Sequence, residues 1–193
     1  GESQSGEFSA VGLTLYLGML EEAVRALRAG RQPLLDRPLA ATIDVELHVP
    51  ALLPESQVPD VHLRLALYQR IAGADANALE HLRGELIDRF GPLPDPAAHL
   101  LAIAALRLRS RALGIRRLEL TTQGGSIAFE EQNRVEPAAV LGLIHKHPRE
   151  FRLEGPLRLR LTRALPSAEE RFAYADRLLK SLEAPGAPPG RRS

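Results

Sequence analysis

The sequence predicts an α+β fold in which helices pack on a small, mainly antiparallel sheet. Strands are read at Thr42, Ile115, Ser126 and Leu157, the first of them from apolar side chains at every second position, and helix-type spacing fills most of the remaining chain. Two of these strand patterns are separated only by Thr122-Gln123-Gly124-Gly125. The positive φ that glycines allow makes this a tight turn and the pair an antiparallel hairpin. A 193-residue chain that is 45% apolar and 25% charged has a globular composition and enough length to bury a core.

Residues 12–29 place Leu13, Tyr16, Leu17, Leu20, Val24 and Leu27 within one arc of a helix, which Gly30 ends. Residues 30–39 hold Pro33 and Pro38 among polar side chains and read as an extended linker. The expected organisation is a helical attachment segment and linker over residues 1–37, a domain over 38–184, and a disordered tail over 185–193, which has three prolines and no apolar anchor.

Within the domain, Ile43, Val45, Leu47 and Val49 alternate with Asp44, Glu46 and His48, as in a half-buried strand. Pro50, Pro54 and Pro59 then mark an irregular crossing. The helix over residues 60–73 has Leu63, Leu67 and Ile71 on one face and Val61, Leu65, Tyr68 and Ala72 on nearly the opposite one, which predicts a central, doubly covered helix. Arg64 projects between the two faces and is expected to meet a carboxylate; Arg64 and Tyr68 are read as structural. Residues 76–90 turn Leu79, Leu82, Leu86 and Phe90 inward, and Gly91, structural in the same sense, stops them together with Pro92, Pro94 and Pro96. Pro96 sits in the first turn of the next helix, which runs to Leu113 and ends at Gly114. After the hairpin come a helix over 137–146 closed by Pro148, strands over 151–153 and 157–161, and a last helix from an N-cap at Ser167, with Glu170 three places on, to Leu182.

The residue inventory argues against catalysis. Cysteine is absent, which removes disulfides, thiolate chemistry and Cys-based zinc sites. His145 and His147 would point apart on a helix, and no carboxylate pair completes a metal site; no phosphate-binding loop or nucleophile elbow is present either. Neither a secretion signal nor an apolar run of membrane-spanning length occurs, so a cytoplasmic, soluble chain without membrane contact is expected. Twenty-five basic residues, 23 of them Arg, against 24 acidic ones leave a net charge of +1, too little for strong autonomous nucleic-acid binding. Arg107, Arg109 and Arg111, with Arg116 and Arg117, form the one basic concentration and carry the alternative reading, an auxiliary nucleic-acid contact. Glu85 and Asp88, at i and i+3, share the polar face opposite Leu79 and Leu86, with Arg89 at its edge; Gly84 beside them lets another surface come close.

The runs Val58-Pro-Asp-Val-His-Leu-Arg64-Leu-Ala-Leu-Tyr68-Gln-Arg70-Ile71-Ala72 and Glu85-Leu-Ile-Asp88-Arg89-Phe90-Gly91-Pro92-Leu93-Pro94 resemble the signature stretches of the C-terminal module of bacterial transcription-repair coupling factors. Leu113-Gly114-Ile115, Gly124-Gly125 and Leu153-Glu-Gly-Pro156 extend the resemblance, which covers residues 1–183. Gly1-Glu-Ser-Gln-Ser-Gly6 with Gly12-Leu-Thr-Leu-Tyr16 is similar to the segment that trails the second motor lobe, so residues 1–37 would be that trailing segment. The resemblance implies a fragment of an ATP-dependent double-stranded DNA translocase that removes stalled RNA polymerase and recruits UvrA for nucleotide excision repair. ATP and magnesium would belong to the motor, with no cofactor in this fragment. It also implies a non-catalytic, autoinhibitory module that packs on the N-terminal UvrB-like module of the same protein and masks its UvrA-binding surface, with Glu85, Asp88 and Arg89 at that interface.

Overall fold

The structure, a computed structural model, describes residues 43–183; the expected helix over 12–29, the linker and the C-terminal tail lie outside the described residues. The described chain runs β1 (Asp44–Glu46), α1 (Val61–Gly73), α2 (Ala76–Phe90), α3 (Asp95–Leu113), β2 (Ile115–Thr121), β3 (Gly124–Phe129), α4 (Pro137–Lys146), β4 (Phe151–Leu153), β5 (Arg158–Thr162) and α5 (Ala168–Leu182). This is the α+β arrangement that the alternation predicts. Two compact units divide it, one from Val49–Ala105 and the other from Ile43–His48 with the described residues after Ala105. No helix among the described residues is long and apolar enough to cross a membrane.

In the first unit α1 and α2 each begin where an acidic side chain can accept an otherwise unpaired N–H. Asp60 accepts from Leu63 N at 2.9 Å, and Asp75 from Ala78 N at 2.8 Å. Gly91 ends α2 at φ +82, and its N–H reaches Ile87 O at 2.9 Å. The core gathers Leu53, Val58, Leu67, Ile71, Leu79, Leu82 and Leu86. Tyr68 is buried among them and its hydroxyl accepts Leu53 N at 2.8 Å, tying the proline-rich crossing to α1.

Two expectations for α1 are corrected. The helix buries Leu67, Tyr68 and Ile71 but leaves Val61 51% and Leu65 37% exposed, so it is covered on one side. Among the described residues Arg64 meets no carboxylate; Nη1 donates to the main-chain oxygens of Val58 at 2.7 Å and Pro59 at 3.2 Å. The chain turning into α1 already presents carbonyls that a guanidinium can satisfy, and Val58 itself is fully buried. Arg64→Ala is therefore expected to cost about 1–3 kcal/mol, the penalty for a buried acceptor left unpaired. Urea denaturation checks this, and a midpoint equal to the parent's would show that the Val58 carbonyl finds another donor.

The second unit is built on a five-stranded sheet of order β1-β2-β3-β5-β4. Only β1 and β2 run parallel; the other neighbours are antiparallel. Val45, Leu118, Leu120, Ile127, Leu159 and Leu161 are buried on one face, as period-2 alternation requires. Helix α5 packs against β2 and α4 and buries Tyr174, Ala175, Leu178, Leu179 and Leu182. Its start is a reciprocal cap: Ser167 Oγ accepts Glu170 N at 3.1 Å while Glu170 Oε2 accepts Ser167 N at 2.9 Å. Arg171, unnoticed in the sequence, is buried one turn in, where Nη1 donates to Leu165 O and Pro166 O. The hairpin differs from expectation. Thr121 pairs with Gly124, so the loop is Thr122–Gln123 and both glycines belong to β3.

Candidate partner-binding face on the second helix

Helix α2 is amphipathic, with its apolar stripe turned inward, so its remaining side chains define an outward face. Gly84, Ile87, Asp88 and Arg89 are exposed there, and Ile87 is 40% accessible despite being apolar. A Cβ placed on Gly84 would meet nothing within 4 Å, so the helix backbone is open to an approaching surface at that turn.

The three candidate residues lie together but are not equivalent. Glu85 is held by Arg70 of α1 in a two-pronged contact, Nη1 to Oε1 at 2.9 Å and Nη2 to Oε2 at 2.5 Å. Arg89 adds a longer contact to the same carboxylate at 3.4 Å and lies over the Phe90 ring, 5.2 Å from its centroid. Asp88 has no hydrogen bond or ion pair among the described residues and faces solvent. The Arg70 hydrogen bonds hold the Glu85 carboxyl below its ordinary value of 4.5. A depressed carboxylate pKa makes this pair's contribution complete above the unfolded value, and it is lost as pH falls through the folded one. Arg70 is the member that sequence reasoning missed. It stands fifteen residues before Glu85, and only the packing of α1 beside α2 brings them together.

The other candidate residues are placed differently. His145 lies in the last turn of α4 and His147 caps it, both exposed. Among the described residues, the donors close enough to share an ion are instead Glu46, His48 and Glu119, within 4.8 Å of one another, and the Arg117 guanidinium already answers both carboxylates at 3.7 and 3.4 Å. Much of the basic concentration is spent within its own unit. Arg107 Nε donates to Ile43 O at 3.2 Å, and Arg109 pairs with Asp176 at 2.6 Å and Glu183 at 2.9 Å. Arg117 is paired with Asp44 as well, at 3.1 Å. These cations are committed to protein carboxylates and carbonyls, which leaves little for a phosphate backbone.

The model of one domain family, the TRCF domain, matches residues 47–140, a span that contains the whole of α2. The transcription-repair-coupling factor of Escherichia coli is 47% identical over 184 residues, 95% of this chain and 16% of that protein. The chain belongs to the TRCF domain family. The transcription-repair-coupling factor of Haemophilus influenzae is 40% identical over 185 residues, again 95% of this chain and 16% of its relative. A crystal structure of the C-terminal domain of a transcription-repair coupling factor shares the fold with a TM-score of 0.59 at 24% identity, over 72% of this chain and 93% of that one. The chain thus spans about a sixth of the length of these relatives.

Proposed function

We propose that this TRCF domain is the non-catalytic regulatory module of a transcription-repair coupling factor, and that its α2 face docks on the UvrB-like module of the same protein and masks the surface that recruits UvrA. The whole protein would be an ATP-driven double-stranded DNA translocase acting on stalled RNA polymerase in the cytoplasm. The observation that carries the reading is the division of labour on α2: Asp88 is exposed and unpaired while Glu85 and Arg89 are already oriented by Arg70 and Phe90. A partner guanidinium that meets Asp88 finds a face whose neighbouring charges need no further ordering, which lowers the entropic cost of docking. The open backbone at Gly84 and the exposed Ile87 supply close approach and an apolar centre beside those charges.

The test is UvrA binding by the intact parent protein carrying Glu85→Arg and Asp88→Arg together. Binding is expected to rise at least ten-fold without ATP, with the thermal transition retained, because both side chains point away from the core. Unchanged binding by a folded variant would return this face to ordinary solvated helix surface. Arg89→Lys keeps the charge but loses the planar fork; a loss of docking as large as that of Arg89→Ala would identify a two-pronged carboxylate partner.

A further inference from the structure

One edge strand of the sheet is β4, and its main-chain alternation is set by its neighbour. Thr162 N donates to Glu150 O and Glu154 N to Arg158 O, both at 2.8 Å, with Arg152 opposite Arg160. Residues 150, 152 and 154 therefore direct their main chain toward β5, and Phe151 and Leu153 direct theirs to the open side. His147 O takes the Phe151 N–H at 3.0 Å, which leaves, among the described residues, the Phe151 carbonyl and both main-chain groups of Leu153 as an edge that a further strand can pair.

Side chains on the two faces of that edge differ in kind. On the polar face a cavity of about 370 Å³ is lined by Arg149, Arg152, Arg160 and Thr162. The two carboxylates that also line it are already answered: Glu150 by Tyr174 and Arg163, Glu154 by Arg152 and Arg158. Arg149 and Arg160 have no ion pair among the described residues, so the cavity keeps a surplus of positive charge. On the opposite face Leu153 is 42% exposed, and α4, which packs against β4, leaves Leu141 59% exposed.

We propose that β4 is a docking edge for a short extended peptide whose acidic side chains alternate with apolar ones, the acids entering the arginine-lined cavity and the apolar side chains covering Leu153 and Leu141. A strand has period 2, so a partner added to this edge presents every second side chain to each face. Charge complementarity fixes one set as carboxylates and the exposed leucines fix the other as apolar. A nucleic-acid backbone fits less well. It has no use for the main-chain edge or for Leu153, and Phe151, the aromatic residue of β4, is buried and offers no ring for base stacking.

The experiment is a fluorescence-anisotropy titration of the 193-residue chain with a labelled hexapeptide in which glutamate and valine alternate. A hexapeptide of the same composition in two blocks, an alternating lysine–valine hexapeptide and a single-stranded oligonucleotide complete the set. The alternating acidic peptide should bind in the micromolar range, at least ten-fold more tightly than either other peptide, and should slow hydrogen exchange at the Leu153 amide. Arg149→Glu with Arg160→Glu should weaken it at least ten-fold without moving the thermal midpoint, since neither side chain is paired within the fold. Equal binding of the block peptide, or an unprotected Leu153 amide, would overturn strand addition. Tighter binding of the oligonucleotide, abolished by the same double variant, would overturn the peptide in favour of phosphate.

Discussion

Gly125→Ala is expected to destabilise the sheet unit by roughly 3–4 kcal/mol, among the largest effects of any single methyl group in this protein. Gly125 lies in β3 between Leu120 of β2 and Leu161 of β5. A Cβ there would overlap the main-chain oxygen of Glu119 and stand 2.9 Å from its carbonyl carbon and 3.0 Å from Leu120 Cα. Those atoms are held by their own ladder and cannot swing aside as the tip of a side chain can, so the strands must part and the hydrogen bonds between them stretch. Gly84→Ala is the matching control. Its Cβ would meet nothing, and a mid-helix alanine should stabilise by about 0.5–1 kcal/mol. Denaturant titrations of the two variants should move in opposite directions; a Gly125→Ala midpoint equal to the parent's would mean that the β2–β3 ladder opens at negligible cost.

On α2, Leu86→Ala is expected to cost about 2–5 kcal/mol, because Leu86 is fully buried and its removal subtracts both transfer energy and packing around the void. Asp88→Arg, two residues away on the outward face, should shift the thermal midpoint by about 2 °C or less. The same pair should exchange rank in a docking assay with the UvrB-like module: Asp88→Arg loses binding at least ten-fold, and Leu86→Ala binds normally wherever it remains folded. A stability loss at Asp88 comparable to that at Leu86 would mean that the polar face is part of the fold and not a surface reserved for a partner.

The ends of elements are legible in the sequence because the interactions that set them act within one turn of chain. Asp60 and Asp75 cap the helices that follow them, Ser167 and Glu170 cap each other, and Gly91 takes the positive φ that stops α2. Each is a contact between residues at most four apart, so local composition determines it. The apolar periodicities that buried Leu79, Leu82 and Leu86, or Ile43, Val45 and Leu47, are local in the same sense.

What the tertiary structure alone decided are the pairings between distant residues. Arg64 was legible as a cation needing a partner, but whether that partner is a carboxylate or the Val58 carbonyl depends on how the crossing enters α1. The outward placement of Glu85 could be read from a helical wheel, and its capture by Arg70 could not, since it requires two helices to lie side by side. Gly124-Gly125 shows the same divide. A glycine pair signals either a turn or a close approach of backbones; Gly124 takes a positive φ beside the loop, and the ladders add the close approach by setting β5 against Gly124 and β2 against Gly125. Local preferences of about a kilocalorie per residue determine which segments become helix or strand. Which side chains then meet follows from burying all the apolar faces at once, a condition on the whole chain that no single window of sequence contains.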